Sequence, residues 1–201
     1  MVPLLGASWY SLAVIQRMEN LTALVESFSD SSDLAALKSQ ELTLQLLQHT
    51  PAPLSRAQFA PGHITTTALV FHPEGDSILL IHHRRLDRWL LPGGHVELED
   101  ETIQDAAARE ALEETGVQLS RSGIAPLIGL DVHGIPPGKG EPMHYHHDLI
   151  FLFRADSPFL NQGEEVREAR WFGIASLTSE VPALPGNILR SVQRTLNLSK
   201  H

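Results

Sequence analysis

The chain has 201 residues, 42% of them hydrophobic and 19% charged, the balance of a folded domain of ordinary size rather than of a disordered segment. Its formal net charge of −9 argues against broad nucleic-acid binding, which needs a basic surface, but admits a small phosphorylated partner if a cation screens the acidic site. It has no cysteine, so a disulfide framework, a thiolate nucleophile and cysteine-ligated zinc are all excluded, and the usage fits a reducing, cytoplasmic setting.

No apolar run reaches the roughly 20 residues that cross a bilayer, so no membrane association is expected. The opening MVPLLGASWYSLAVIQR lacks a basic region and has an interrupted apolar run, which makes it a poor secretory signal. Met18 reads as an alternative start, with a helix beginning near Asn20 or Thr22 and the preceding residues dispensable. Residues 8–48 carry apolar side chains at helical spacing, and Asp30 to Asp33 supply a break and an N-cap for a second helix. TPAPLSRAQFAPG, with its prolines and glycine, ends the helical region as a linker or crossover strap. Residues 1–60 are therefore expected to form an N-terminal helical extension and linker, and 61–201 the main domain.

From His63 the pattern changes. HITTTALVFH is rich in β-branched residues and predicts a strand; PEGD predicts a turn and SILLIHH a second strand, together a hairpin. RRLDRWLLPGG leads to a tight Gly93–Gly94 turn whose carbonyls point inward. Thr102 to Thr115 contains no proline or glycine and is rich in alanine and glutamate, so it predicts a helix that stops at Gly116. A loop, PPGKGEP, a long strand, MHYHHDLIFLFRA, a short strand around ARWFGI and a terminal amphipathic helix, GNILRSVQRTLNLS, follow. Strands around one strong helix, with another helix at the end, predict an α/β sandwich with a mixed sheet.

The helix raises a question of charge. Glu110, Glu113 and Glu114 lie three and four apart and share one face, where like charges repel. Leu112, roughly opposite Glu110, is expected to face the core. A solvated face would explain the glutamates, but Arg109 stands among them, Glu97 and Glu101 add carboxylates upstream, and oxygen ligands of this kind suit Mg²⁺ or Mn²⁺.

Here the chain resembles the Nudix hydrolases, whose signature is G-x5-E-x7-R-E-U-x-E-E-x-G-U, with U aliphatic. Glu101, seven residues, then Arg109-Glu110-Ala111-Leu112-Glu113-Glu114-Thr115-Gly116-Val117 match in order, over a region of likeness from Ile64 to about Leu177. Gly94 precedes Glu101 by six intervening residues rather than five, with the additional residue expected within Leu98 to Asp100. The resemblance implies a Nudix-type α/β/α sandwich and Mg²⁺-dependent hydrolysis of a diphosphate joined to another moiety, or of a nucleoside triphosphate. It implies that Glu110, Glu113 and Glu114 bind metal with the Gly94 carbonyl nearby, that Glu97 assists at the metal or pairs with Arg109, that Arg109 orients the glutamates through a salt bridge to Glu101, and that Gly93 and Gly116 shape the site. Glu165, in NQGEEVRE, is the implied general base, with Glu164 beside it. Many relatives dimerise, so the N-terminal helices are expected to cap the site, form a homodimer interface, or cover a sheet face. The alternative reading is a catalytically silent nucleotide-binding or regulatory domain, but such domains lose a box glutamate or the arginine, and this chain keeps them. An isomerase on the same fold would need the cysteine that is missing.

Outside the box, Arg84, Arg85 and His95 are candidates for substrate contact, with Arg88 and Lys139 as further cations. Trp89, Tyr145, Trp171 and Phe172 could stack on a base, though Trp89 and Trp171 fit the core better. His144 and His146 alternate and share one strand face, with His147 opposite. Zinc would need a third ligand that the spacing does not place, so structural or substrate-facing roles are expected for them.

Overall fold

The computed structural model describes residues 12–30, 32–120, 124–138, 140–164 and 166–198. Two helices, α1 (Leu12–Ser27) and α2 (Leu34–His49), precede strands β1 (Gly62–Phe71), β2 (Ser77–His83), β3 (Arg88–Leu90) and β4 (Gly93–His95). Helix α3 (Ile103–Thr115) follows, then β5 (Leu127–Ile135), β6 (His144–Arg154), β7 (Val166–Gly173), the short α4 (Leu177–Glu180) and α5 (Gly186–Leu198). The sheet runs β3-β2-β1-β6-β5, with β4 added to β1 and β7 to β2. Among the described residues only the β1–β6 pairing is parallel, so the sheet is mixed as expected.

Alternation along β1 sorts the core into two layers. Ile64, Ala68 and Val70 point to a cluster with Ala106, Ala107 and Ala111 of α3 and with Leu21, Val25 and Leu46 of α1 and α2. Leu69 and Phe71 point to the other side, against Ile188 and Val192 of α5. The N-terminal helices thus share a core with α3 and cover the α3 face of the sheet. Asp33 caps α2 by accepting from the Ala36 N–H at 3.0 Å, and its second oxygen accepts from Arg190 Nε at 3.0 Å and Arg194 Nη2 at 3.1 Å. That carboxylate, 8% exposed, ties the helical region to α5.

Three expectations need correction. Helix α1 begins by Leu12, so Asn20 and Thr22 lie within it rather than at its start. Gly93–Gly94 is not a turn but part of β4, paired with Thr67 and Thr66. Leu112 is 45% exposed. The buried stripe of α3 is Ile103, Ala106, Ala107, Ala111, Thr115 and, unexpectedly for a carboxylate, Glu114.

Candidate active site

The helix carrying the glutamates is fixed at both ends by its own sequence. Thr102 is the N-cap and forms a capping box with Asp105, each side chain taking the other's backbone N–H. Gly116 ends the helix at φ 68°, in the left-handed region where a side chain is costly, as predicted. With the phase of α3 set, Arg109, Glu110 and Glu114 reach β4 and the loop after it, and Glu113 lies beside Arg109.

Arg109 is the hub. Its Nε and Nη2 each donate to one oxygen of Asp100, both at 3.0 Å, a bidentate pair. Nη2 also donates to the His95 carbonyl at 2.9 Å, while Nη1 donates to Glu110 Oε1 at 3.1 Å and Glu113 Oε2 at 3.2 Å. One guanidinium thus fixes two glutamates and the end of β4. The hydrogen bonds to Asp100 hold the Arg109 pKa above its ordinary value. Burial pushes the Asp100 carboxyl up, but Arg109 and the Glu97 N–H, which donates at 2.8 Å, outweigh it and leave its pKa lowered.

The expected partner of Arg109, Glu101, does not fill that role. Glu101 is exposed just before the N-cap, and Asp100 takes its place. Asp100 stands five intervening residues after Gly94, so the additional residue falls between Asp100 and the helix rather than within Leu98 to Asp100. Glu97 is also exposed, and among the described residues it does not pair with Arg109. Its charge lies close enough to contribute to the raised pKa of Glu110.

The three glutamates differ in setting. Glu114 is buried and accepts the Gly93 N–H at 2.9 Å. Glu110 lies against Gly94, where a Cβ would come within 2.5 Å of its Oε1, so glycine is needed for that approach. Burial pushes the Glu110 pKa up, against the pull of Arg109. Glu113 is the open member, its side chain 58% exposed. A half-desolvated carboxylate beside two others is the setting that a divalent cation would relieve, and the donors are the oxygens that Mg²⁺ or Mn²⁺ prefers. The residues present therefore fit such an ion.

Other sequence candidates separate. Glu165 and Lys139 lie outside the described residues. The segment leading to Glu165 docks on the end of α3: Asn161 N–H donates to the Thr115 carbonyl at 2.7 Å and Gly163 N–H to the Glu114 carbonyl at 2.9 Å. Arg84 and Arg85 sit in the exposed turn between β2 and β3, and Arg84 Nε donates to the Val166 carbonyl at 2.9 Å. Trp89 and Phe172 pack edge to face at 4.7 Å, with Arg170 over both.

The His95 side chain belongs to a histidine cluster on the α5 face of the sheet. Its ring lies 5.1 Å from His63 and 5.4 Å from His146. His144 and His146 share this face as predicted, while His147 turns to the other, where its Nδ1 meets Thr43 Oγ1 at 3.2 Å. Burial is the largest cause that lowers the pKa values, to about 4 for His95 and His147 and about 2 for His146. His63 is the member the sequence did not reveal, because it joins the others only through the parallel β1–β6 register, His63 opposite His146.

The NUDIX domain family model matches residues 61–191. A protein of Lactococcus lactis subsp. cremoris described as "Probable DHNTP pyrophosphohydrolase" is 33% identical over 132 residues, 64% of this chain and 74% of that one. The zebrafish (Danio rerio) m7GpppN-mRNA hydrolase NUDT17 is 43% identical over 75 residues, covering 36% of this chain but only 25% of its own length. Among solved structures, a MutT NUDIX hydrolase from Burkholderia pseudomallei superposes with a TM-score of 0.51 at 25% identity, over 65% of this chain and 95% of that one. Box, sheet and matched span agree, and the chain belongs to the Nudix family of hydrolases.

Proposed function

We propose that this chain hydrolyses the diphosphate bond of a nucleoside diphosphate joined to another moiety, or of a nucleoside triphosphate, with Mg²⁺ or Mn²⁺ held by Glu110, Glu113, Glu114 and the Gly94 carbonyl. The observation that carries this reading is the single Arg109 guanidinium gathering Asp100, Glu110 and Glu113 beside β4. The name of the Lactococcus relative, a pyrophosphohydrolase, agrees with it. A bound divalent ion would supply charge neutralisation on the diphosphate and acidify the attacking water.

The chain's own groups do the rest. Arg109 keeps Glu110 and Glu113 in place, so little reorganisation is needed when substrate arrives. Glu114, anchored to the Gly93 N–H, fixes the helix against the strand that bears the Gly94 carbonyl. Glu165, the base that the resemblance implies, is the group we propose to take the water proton. Arg85, exposed in the β2–β3 turn, is the proposed substrate contact; Arg84 is a weaker one because Nε already serves Val166, and the His95 ring, expected to reach substrate, turns away from the carboxylates into the histidines.

The test is direct. Purified protein with Mg²⁺ is offered dinucleotides, nucleoside triphosphates and nucleotide sugars, and release of phosphate or nucleotide is measured. Turnover is expected, with loss of at least about 100-fold in Glu113→Gln and Glu114→Gln. No turnover on any of them, or unchanged rates in both variants, would sink the reading and favour the silent binding domain.

A further inference from the structure

We propose that His63, His144 and His146 form a second metal site, for Zn²⁺, distinct from the carboxylate cluster and with one coordination position left for water or another oxygen. The three side chains come from adjacent parallel strands: His63 from the start of β1, His144 and His146 from the start of β6. One ligand nitrogen from each lies within 4.8 Å of the others. The Nε2 atoms of His144 and His146 are 3.3 Å apart. Two nitrogens on a tetrahedral zinc, each at about 2.0–2.1 Å, stand about 3.3–3.4 Å apart.

The tautomers are set for ligation. His63 Nδ1 lies 3.1 Å from the Gln58 carbonyl, and His144 Nδ1 lies 2.8 Å from the Pro142 carbonyl. A carbonyl only accepts, so both Nδ1 atoms carry the proton and both Nε2 atoms present a lone pair. Imidazole ligands of zinc are commonly oriented in this way by a backbone carbonyl on the outer nitrogen. His146 can answer the His144 lone pair with its own Nε2 proton. Nothing among the described residues answers His63: its Nε2 is buried without a hydrogen-bond partner in a side chain only 1% exposed. A buried acceptor left without a donor is costly, and a cation shared by the three nitrogens removes that cost.

The ligand chemistry selects the ion. Imidazole nitrogens suit zinc and its neighbours in the first transition row, whereas Mg²⁺ prefers oxygens, so the two sites would sort the two metals. His95 stands next to the cluster but outside the converging three, which leaves zinc with three protein ligands. The segment before β1 covers the site: besides the Gln58 carbonyl, the Phe59 ring lies 5.1 Å from that of His144.

The experiment uses the full chain, stripped with chelator and then saturated with Mg²⁺ so that the carboxylate site is occupied. Zn²⁺ is titrated by calorimetry, bound zinc is counted by elemental analysis after dialysis, and Co²⁺ is used as a spectroscopic probe. We expect one zinc per chain, a zinc-dependent rise in Tm, and the intense visible bands of four- or five-coordinate cobalt with nitrogen ligands. This binding should survive Glu113→Gln and weaken by at least about 100-fold in His144→Gln and His146→Gln. His146 is only half-buried, so His146→Gln is the variant expected to keep the fold, checked by circular dichroism. Zinc that is absent, that persists unchanged in folded His146→Gln, or that disappears in Glu113→Gln overturns the proposal. None of these readouts depends on turnover, so failure here leaves the hydrolase reading standing, and the converse holds too.

Discussion

Replacing Asp100 with asparagine separates the structure's account of the box from a count of residues. Asp100 is 8% exposed and accepts from Arg109 Nε and Nη2, both at 3.0 Å, and from the Glu97 N–H at 2.8 Å. Asparagine keeps the shape and one acceptor, but its amide nitrogen faces a donor. Breaking a fully buried ion pair costs about 3–5 kcal/mol. Arg109 is partly exposed and keeps Glu110, Glu113 and the His95 carbonyl, so the expected cost is lower, about 2 kcal/mol. For a chain of this size that lowers Tm by about 4–8 °C. An arginine no longer anchored also lets Glu110 and Glu113 drift, so apparent Mg²⁺ affinity or kcat should fall about 10–100-fold, the usual effect of losing a partner behind a metal ligand. Glu101→Gln is the control: an exposed carboxylate whose loss should stay within about 0.5 kcal/mol and leave the rate near normal. Thermal melts and Mg²⁺-dependent kinetics on both variants decide it. If Glu101→Gln is the damaging change and Asp100→Asn the silent one, the pairing described here is wrong.

The two glycines of β4 should fail differently. In Gly94→Ala the new methyl meets the movable end of Glu110, so the fold should persist while Mg²⁺-dependent activity drops at least about tenfold; in Gly93→Ala it comes within 2.4 Å of the Thr66 carbonyl oxygen, backbone that cannot step aside, so Tm should fall by several degrees. Chelation with EDTA should abolish turnover and added Mg²⁺ should restore it, without which the carboxylate site has no catalytic ion. Stability should fall with acid well above the carboxylate range. His63, His95, His146 and His147 all have pKa values lowered on folding, so below about 6.5 the unfolded chain takes up protons that the folded chain refuses. Their contribution is complete above that pH and is lost as pH falls, by no more than about 1.4 kcal/mol per pH unit for each, and less for the half-buried rings. His133, raised by its bond to Asp131, works the other way but is one group against four. A Tm that is flat between pH 7 and pH 5 would contradict this.

Much of α3 was legible because its signals are local. A capping threonine, an alanine-rich interior and a terminal glycine fix α3 within a single stretch of chain, and the three-and-four spacing then brings the glutamates together without any tertiary knowledge. Leu112 and Glu114 show where such reasoning stops. Hydrophobicity places the leucine inside and the glutamate outside, yet the Gly93 N–H needs an acceptor at that point, and Glu114 provides it. Glu101 shows a second limit: a motif counts residues, whereas the N-cap at Thr102 fixes the phase of the helix and leaves the preceding residue facing outward. The strands β3 and β4, three residues each, carry too little alternation to be read. The meeting of His63 with His146 depends on a parallel pairing of strands more than 80 positions apart along the chain, which no local pattern encodes.

The two halves of the molecule's chemistry meet in β4. The Gly93 N–H holds Glu114, the Gly94 surface receives Glu110, and the His95 carbonyl takes Arg109, so three successive residues fix two of the carboxylates and the arginine of the cluster on one side. The His95 side chain projects to the other side, into the histidines. The strand is short and is anchored through its pairing with Thr65, Thr66 and Thr67 of β1, and two of those threonines donate to the buried Asp148 of β6. His63 and His146 sit on β1 and β6 themselves, so the same pairing that anchors β4 also brings the histidines together. The pairing of β1 with β4 on one edge and with β6 on the other thus places both clusters, although no side chain is shared between them.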